Sequence, residues 1–332
     1  MDIYFYFILL IINYFSLKLY IKVAMKNKIV ALGNNKNLHS GEIPRGAGII
    51  FGSIYIILIT LVYFQNNISV DNFFPILVGS ILSLVLGFWD DIKDLGILIK
   101  LFGQFCIISI VVYLIYGFLN FGQQNVLGYI FYFIFILAIM WMLNAYNFLD
   151  GSDGHLGTVS SMQCLLFGVA AYINDQLDLI WPIFFLFFVI IVFLKLNWQP
   201  ASVFMGDAGS LFIGINIIIF ILISFKFSIL TPITMFIILS YFLMDTLGTL
   251  ILRILMNKSW RLRHRSHPYQ NFARIFSHQR ISILVVIYHL LCLLPLVTLA
   301  IYYPRYEIIF LFISIFPTLI FLIKYGPLFS SD

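Results

Sequence analysis

Charge is what this 332-residue chain has least of: Asp, Glu, Lys and Arg together make up 10% of it, where a soluble domain carries about a quarter. With 62% of its residues hydrophobic, that shortage excludes an ordinary soluble protein. Cysteine is scarce too. Cys106, Cys164 and Cys292 lie scattered in apolar runs with no metal-ligand spacing, so they read as packing residues. The first segment, "MDIYFYFILLIINYFSLKLYIK", has no basic start and no small-residue cleavage site, and it reads as an uncleaved span rather than a signal peptide. No internal repeat and no soluble domain interrupts the chain, so residues 1–332 are expected to form a single integral-membrane domain. The net charge of +5 does not call for nucleic acid, because membrane topology explains it.

What the chain has in abundance is long apolar runs. A helix needs about 20 apolar residues to cross the hydrocarbon. The runs between polar breaks predict an all-α polytopic membrane protein with eleven spans, at 2–23, 47–65, 73–89, 98–118, 127–146, 155–173, 179–196, 208–225, 232–256, 281–302 and 307–325. Threading eleven spans puts seventeen of the nineteen Lys and Arg residues on one side, leaving Lys226 and Arg305 opposite. The positive-inside rule makes that side cytoplasmic, with the N-terminus outside and the C-terminus inside. Every dense polar motif falls on the same face, as expected of a site that works on a cytosolic solute at the membrane surface.

Four motifs carry the chemistry. "GFWDDIKDL" sets Asp90 beside Asp91 at a helix end, where neighbouring carboxylates repel unless a cation sits nearby; a hydrated turn is the plain alternative. "NAYNFLDGSDG" places Asn144, Asn147 and Asp150 along one face, with Asp150 and Asp153 in a turn whose glycines let a ligand approach the backbone. Its amide and carboxylate oxygens are the hard ligands magnesium prefers, although Asn, Asp and Gly also form ordinary turns. "VFMGDAGSLFIG" puts Asp207 at a helix start, with Ser210 as a plain N-cap in the simpler reading. The last cytoplasmic loop, "NKSWRLRHRSHPYQNFARIFSHQR", has six basic side chains, three histidines and no acid. Much of it suits lipid headgroups, but His264 and His267 bracketing Arg265 look arranged for a phosphate oxygen. An early loop, "NNKNLHSGEIPRGAG", offers Lys36, His39 and Arg45 among glycines as an anion-binding turn or a mere connection. Acidic metal-type motifs beside basic phosphate-type motifs are the arrangement that phosphoryl transfer needs.

The order DD, NxxNxxDGxDG, FMGDxGS and a basic HRxH loop on an eleven-span bundle resembles the polyprenyl-phosphate N-acetylhexosamine-1-phosphate transferases of glycosyltransferase family 4. "MDTLGTLILRIL", with the intramembrane Asp245, is similar to that family's DTL segment. The resemblance implies transfer of an N-acetylamino-sugar 1-phosphate from a UDP-sugar to undecaprenyl phosphate in a bacterial cytoplasmic membrane, with UMP leaving. It implies magnesium, with manganese as a substitute, held by Asp207 and Asn147. Asp90 and Asp91 would lie by the lipid phosphate as catalytic residues with Asp207. Asn144, Asp150, Asp153, His264, Arg265, His267, Lys36 and Arg45 would bind substrate. "RHRSHPYQ" departs from the HHH loop of the peptidoglycan enzyme phospho-N-acetylmuramoyl-pentapeptide transferase and looks more like initiators of O-antigen or capsule synthesis, some of which use 6-deoxy donors. "PRGAG" stands where relatives often have PRGGG. Donor sugar, polymer, one-step or covalent mechanism, and oligomeric state (a homodimer among the options) are open. The rival classes are an intramembrane aspartyl protease, which would leave the Asn/Asp/Gly motif without a role, and a secondary transporter, which would place its acids near the midplane.

Overall fold

A computed structural model describes residues 3–32, 42–117, 126–258 and 266–329. Helices account for nearly all of it. In chain order they are α1 Ile3–Lys26, α2 Gly48–Phe64, α3 Val70–Lys93, α4 Ile97–Tyr116, α5 Val126–Leu149, α6 His155–Ile173, α7 Leu177–Asn197, α8 Gly206–Lys226, α9 Pro232–Leu243, α10 Thr249–Leu255, α11 Pro268–Ile275, α12 His278–Tyr288, α13 Leu294–Tyr302 and α14 Glu307–Tyr325. Single π-helical turns, Met244–Gly248 and His289–Leu293, join α9 to α10 and α12 to α13 into continuous rods.

Among the described residues ten rods are long and apolar enough to cross a membrane, and the protein is a multi-pass membrane protein. The eleventh expected span, α2, has 17 residues and is shorter than the others. It nonetheless runs the length of the bundle, for Gly48 abuts Gly209 at one end while Tyr63 stacks on Phe73 at the other, with ring centroids 3.9 Å apart. The all-α expectation needs one amendment. Val30–Leu32 (β1) and Glu42–Pro44 (β2) form an antiparallel pair in the α1–α2 connection, which satisfies backbone groups that no helix there can. Segment α11 is a second departure, a helix inside what the sequence presents as a loop.

Helix α8 is the axis. Every residue from Ala208 to Ser224 is buried, as expected of a helix that is hydrophobic all round. Its main partner is α3, and the two approach closely because α3 presents Gly79, Ser83 and Gly87 at four-residue spacing. A Cβ on Gly87 would fall 2.4 Å from the Asp207 carbonyl oxygen, and one on Gly79 would fall 2.7 Å from Ile219. Small residues at such a spacing let membrane helices dock backbone to backbone. Between the two close contacts, the buried Asn216 amide and Ser80 hydroxyl bond across the interface at 3.0 Å.

The polar loops sort to two ends. Contacts gather 44–47, 90–100, 147–155, 197–210 and 266–278 at one end. At the other, Ser69 and Asn72 donate to Asp178, and Thr231 donates to Glu307.

Candidate active site

The site is built on the first turn of α8. That turn's free amides need acceptors, and Asp91 supplies them: its two oxygens accept from the Asp207 and Ala208 N–H groups, each at 3.0 Å. The fit leaves no room for a side chain at Gly206, whose Cβ would sit 2.4 Å from Asp91 Oδ2 and whose φ is +69°. Asp91 therefore caps the central helix from a neighbouring one, and Asp207 is displayed from a fixed turn. The Ser210 hydroxyl does not cap this helix, which begins at Gly206; it lies one turn in and donates to Asn147 Oδ1 at 2.8 Å. Asn147 is thus tied to α8 one turn from Asp207.

Asp90 lies one residue back on α3. It accepts from the Leu95 N–H at 2.7 Å and from Lys100 Nζ at 2.8 Å. The same ammonium reaches Asp207 Oδ2 at 2.5 Å, so a single cation bridges two carboxylates from different helices. Lys100 was absent from the sequence-based site. Its signal was a lone lysine inside the apolar run "GILIKLFG", four residues before Gln104 on the same helical face.

The early loop closes the other flank. Ala47 and Gly48 donate to the Phe204 and Met205 carbonyls, and Phe204 donates back to Pro44. This ladder joins "PRGAG" to "VFMGD". The Arg45 guanidinium donates to the Asp91 carbonyl at 2.6 Å, and the Tyr20 hydroxyl holds the Arg45 carbonyl.

The motif "NAYNFLDGSDG" divides. The Asn144 side chain donates to Gln104 Oε1 at 2.7 Å and receives Gln104 Nε2 at 3.3 Å, which ties α5 to α4. Replacing Asn144 with alanine is expected to lower stability by about 1 kcal/mol, the usual worth of such an interhelical bond, seen as a lower Tm in detergent. Asp150 is half-buried beside the acid cluster; burial first, then the carboxylates of Asp207, Asp91 and Asp153, hold its carboxyl well above the usual range. Asp153 is buried and faces the next loop, where it accepts from the Ala201 N–H at 3.2 Å, while His278 Nδ1 accepts its own N–H at 3.0 Å.

Lys36 and His39 of the early loop, and His264 and Arg265 of the basic loop, lie outside the described residues. His267 is described, and it is fastened to Asp245: its Nδ1 lies 3.0 Å from the Asp245 carbonyl and 3.2 Å from its carboxylate. Asp245 Oδ1 also accepts the Tyr269 N–H at 3.0 Å, capping α11. Arg253, buried in α10, donates to Ser266 Oγ at 2.7 Å. The intramembrane acid thus bolts the end of the basic loop to the bundle.

Lys100 is shared by the carboxylates of Asp90 and Asp207, Arg45 lies by Asp91, and Asp150 lies within electrostatic reach of Asp91 and Asp207. Among the described residues no three His, Cys, Asp or Glu side chains are grouped as ligands of one metal. Magnesium does not require such a group, since one or two carboxylates with water and phosphate suffice. The donors around Asp207 are hard oxygens: the carboxylates of Asp90 and Asp207 come together on Lys100, and Asp91 lies directly beneath the same helix turn. The residues fit a divalent cation.

Residues 73–225 match the model of the family described as Glycosyl transferase family 4. A Bacillus subtilis protein described as a probable undecaprenyl-phosphate N-acetylglucosaminyl 1-phosphate transferase is 28% identical over 279 residues, 80% of this chain and 75% of its own. A Yersinia pestis undecaprenyl-phosphate alpha-N-acetylglucosaminyl 1-phosphate transferase is 28% identical over 282 residues, with the same coverage. A phospho-N-acetylmuramoyl-pentapeptide-transferase of Listeria monocytogenes is 30% identical over 192 residues, 53% of this chain and 59% of its own.

Proposed function

We propose that this chain, a glycosyl transferase family 4 protein over residues 73–225, transfers an N-acetylamino-sugar 1-phosphate from a UDP-sugar to undecaprenyl phosphate, as the initiating step of an envelope polysaccharide. The observation that carries the reading is the oxygen-rich cluster at the partly exposed N-terminus of the central helix, with Lys100 between Asp90 and Asp207. Names of relatives aligned over 80% of this chain support the initiating branch over lipid I synthesis, whose named relative above aligns over 53%. The lysine and arginine asymmetry supports a site facing the cytoplasm of a bacterial inner membrane.

A phosphate oxygen of the lipid attacks the phosphorus that bears the sugar. The bond from that phosphorus to the bridging oxygen breaks, and UMP leaves with the electron pair. Asp90 accepts the proton of the lipid phosphate when that phosphate arrives protonated. Lys100 and Arg45 offset charge on the phosphates, and Asp91 positions Asp207 by capping its helix. Magnesium or manganese, held by Asp207 and Asn147, would neutralise the diphosphate when bound. Asp150 lines the donor side, while Asp153 and His267 brace the loops that carry it.

Purified protein given a panel of UDP-N-acetyl sugars, undecaprenyl phosphate and magnesium is expected to release UMP. Release should stop with EDTA and return on adding magnesium or manganese. Release of none from any donor would overturn the reading and reopen the protease and transporter classes.

A further inference from the structure

Tyr269 is fully buried beneath the Asp150–Gly154 turn, its ring stacked on His155 with centroids 4.2 Å apart and planes 8° from parallel. Its hydroxyl donates to the Phe148 carbonyl at 2.7 Å, which uses its only proton. The neighbouring Gln270 amide lies 3.1 Å from the same hydroxyl oxygen. That oxygen can only accept a further bond, so Gln270 must present Nε2 to it. Turned the other way, the amide would set two acceptors face to face. The orientation of Gln270 is therefore fixed by chemistry, and its Oε1 faces away from Tyr269.

That Oε1 is buried and has no hydrogen-bond partner among the described residues. Buried acceptors are seldom left so, because the loss of water is not repaid. Gly151 shows how close the amide lies to the donor-side turn, since a Cβ there would fall 2.4 Å from the Tyr269 hydroxyl and 3.0 Å from Gln270 Nε2. The carboxylates of Asp91, Asp153 and Asp207 already act on Asp150 in this region. A neutral carbonyl can take an N–H there without adding to the repulsion of a diphosphate, as another carboxylate would.

We propose that Gln270 Oε1 determines donor specificity by accepting a hydrogen bond from a neutral N–H of the nucleotide sugar, an inference that rests on the UDP-N-acetylamino-sugar reading. Two groups of such a donor have this chemistry: the uracil imide and the acetamido group of the sugar. Tyr269 is the positioning residue, setting the amide by fixing which of its ends faces the turn.

The test is calorimetric binding of UMP, N3-methyl-UMP, UDP-N-acetylglucosamine and UDP-glucose, with magnesium, to the full-length protein and to Gln270→Leu. Gln270→Ala serves as a second variant should leucine not fold. If the uracil is read, wild type prefers UMP over N3-methyl-UMP by about tenfold, the worth of one hydrogen bond, and the variants lose that preference. If the acetamido group is read, the variants instead lose a similar preference for UDP-N-acetylglucosamine over UDP-glucose, with UMP binding unchanged. A packing role alone would weaken all four ligands together and leave both ratios intact. Unmoved ratios in a wild type and variants that bind uridine nucleotides overturn the contact while sparing the proposed function. A wild type that binds none of the four overturns the donor reading and the contact with it.

Discussion

Asp207→Asn should lower transfer of labelled sugar phosphate on the order of 10³-fold, the scale on which one pre-placed electrostatic group counts in a catalytic site. Its side chain is half-buried and bonds Lys100, while its backbone N–H is what Asp91 holds. Asparagine keeps the backbone, the size and an oxygen toward Lys100, so the helix cap survives and Tm should move by only a few degrees. What is lost is the charge that completes the oxygen cluster. Near-normal transfer by the folded variant would refute the metal assignment. A large fall in Tm would mean instead that the Lys100 bridge carries the fold.

Gly87→Ala should also lower turnover strongly, although the residue touches no substrate. Its Cβ would stand 2.4 Å from the Asp207 carbonyl oxygen and 2.5 Å from the carbonyl carbon, both backbone atoms that cannot swing aside. The added methyl must push α3 from the first turn of α8. That separates Asp90 and Asp91, three and four residues along α3, from Asp207 and the Ala208 amide. A misplacement of about 1 Å can cost about 10²-fold in rate, and overpacking typically costs about 1–3 kcal/mol in stability. Turnover and Tm measured on one preparation separate the two effects. Unchanged turnover would show that the helix contact is looser than the structure gives.

The spans were legible because a bilayer imposes one length and one polarity on every crossing segment, so the helices fall where the apolar runs do. The irregularities were not. The π-helical turn at Met244–Gly248 has no local sequence cause and makes sense only through Asp245, whose partners His267 and Tyr269 lie over twenty residues away. Helix α11 was hidden in a basic, histidine-rich stretch because its cap comes from that same distant acid. The aspartates could be found from their types and spacing, but their division of labour could not. Asp90 and Asp91 are adjacent in sequence, yet successive helical positions point in different directions, one toward Lys100 and the other toward the α8 amides. Asn144 and Asn147 likewise part company because Gln104 and Ser210 lie on different helices. Lys100 escaped notice because a lysine near a span end ordinarily snorkels toward water, and only the tertiary fold sets two carboxylates around it.

The shortness of α2 bears on the depth at which this chemistry occurs. Seventeen residues at 1.5 Å each make a rod of about 25 Å, against a hydrocarbon slab about 30 Å thick. The ladder from Pro44 to Gly48 leads straight into this short rod and fastens it to Phe204 and Met205, just ahead of α8. Arg45, Asp91 and the head of α8 are tied to that same end of α2. On the proposed function, a lipid phosphate sliding in from the side would meet these groups near the level of the leaflet, and a water-borne nucleotide would descend to them. The membrane would be pinched locally around the mouth, and lipids of shorter chain should ease that deformation.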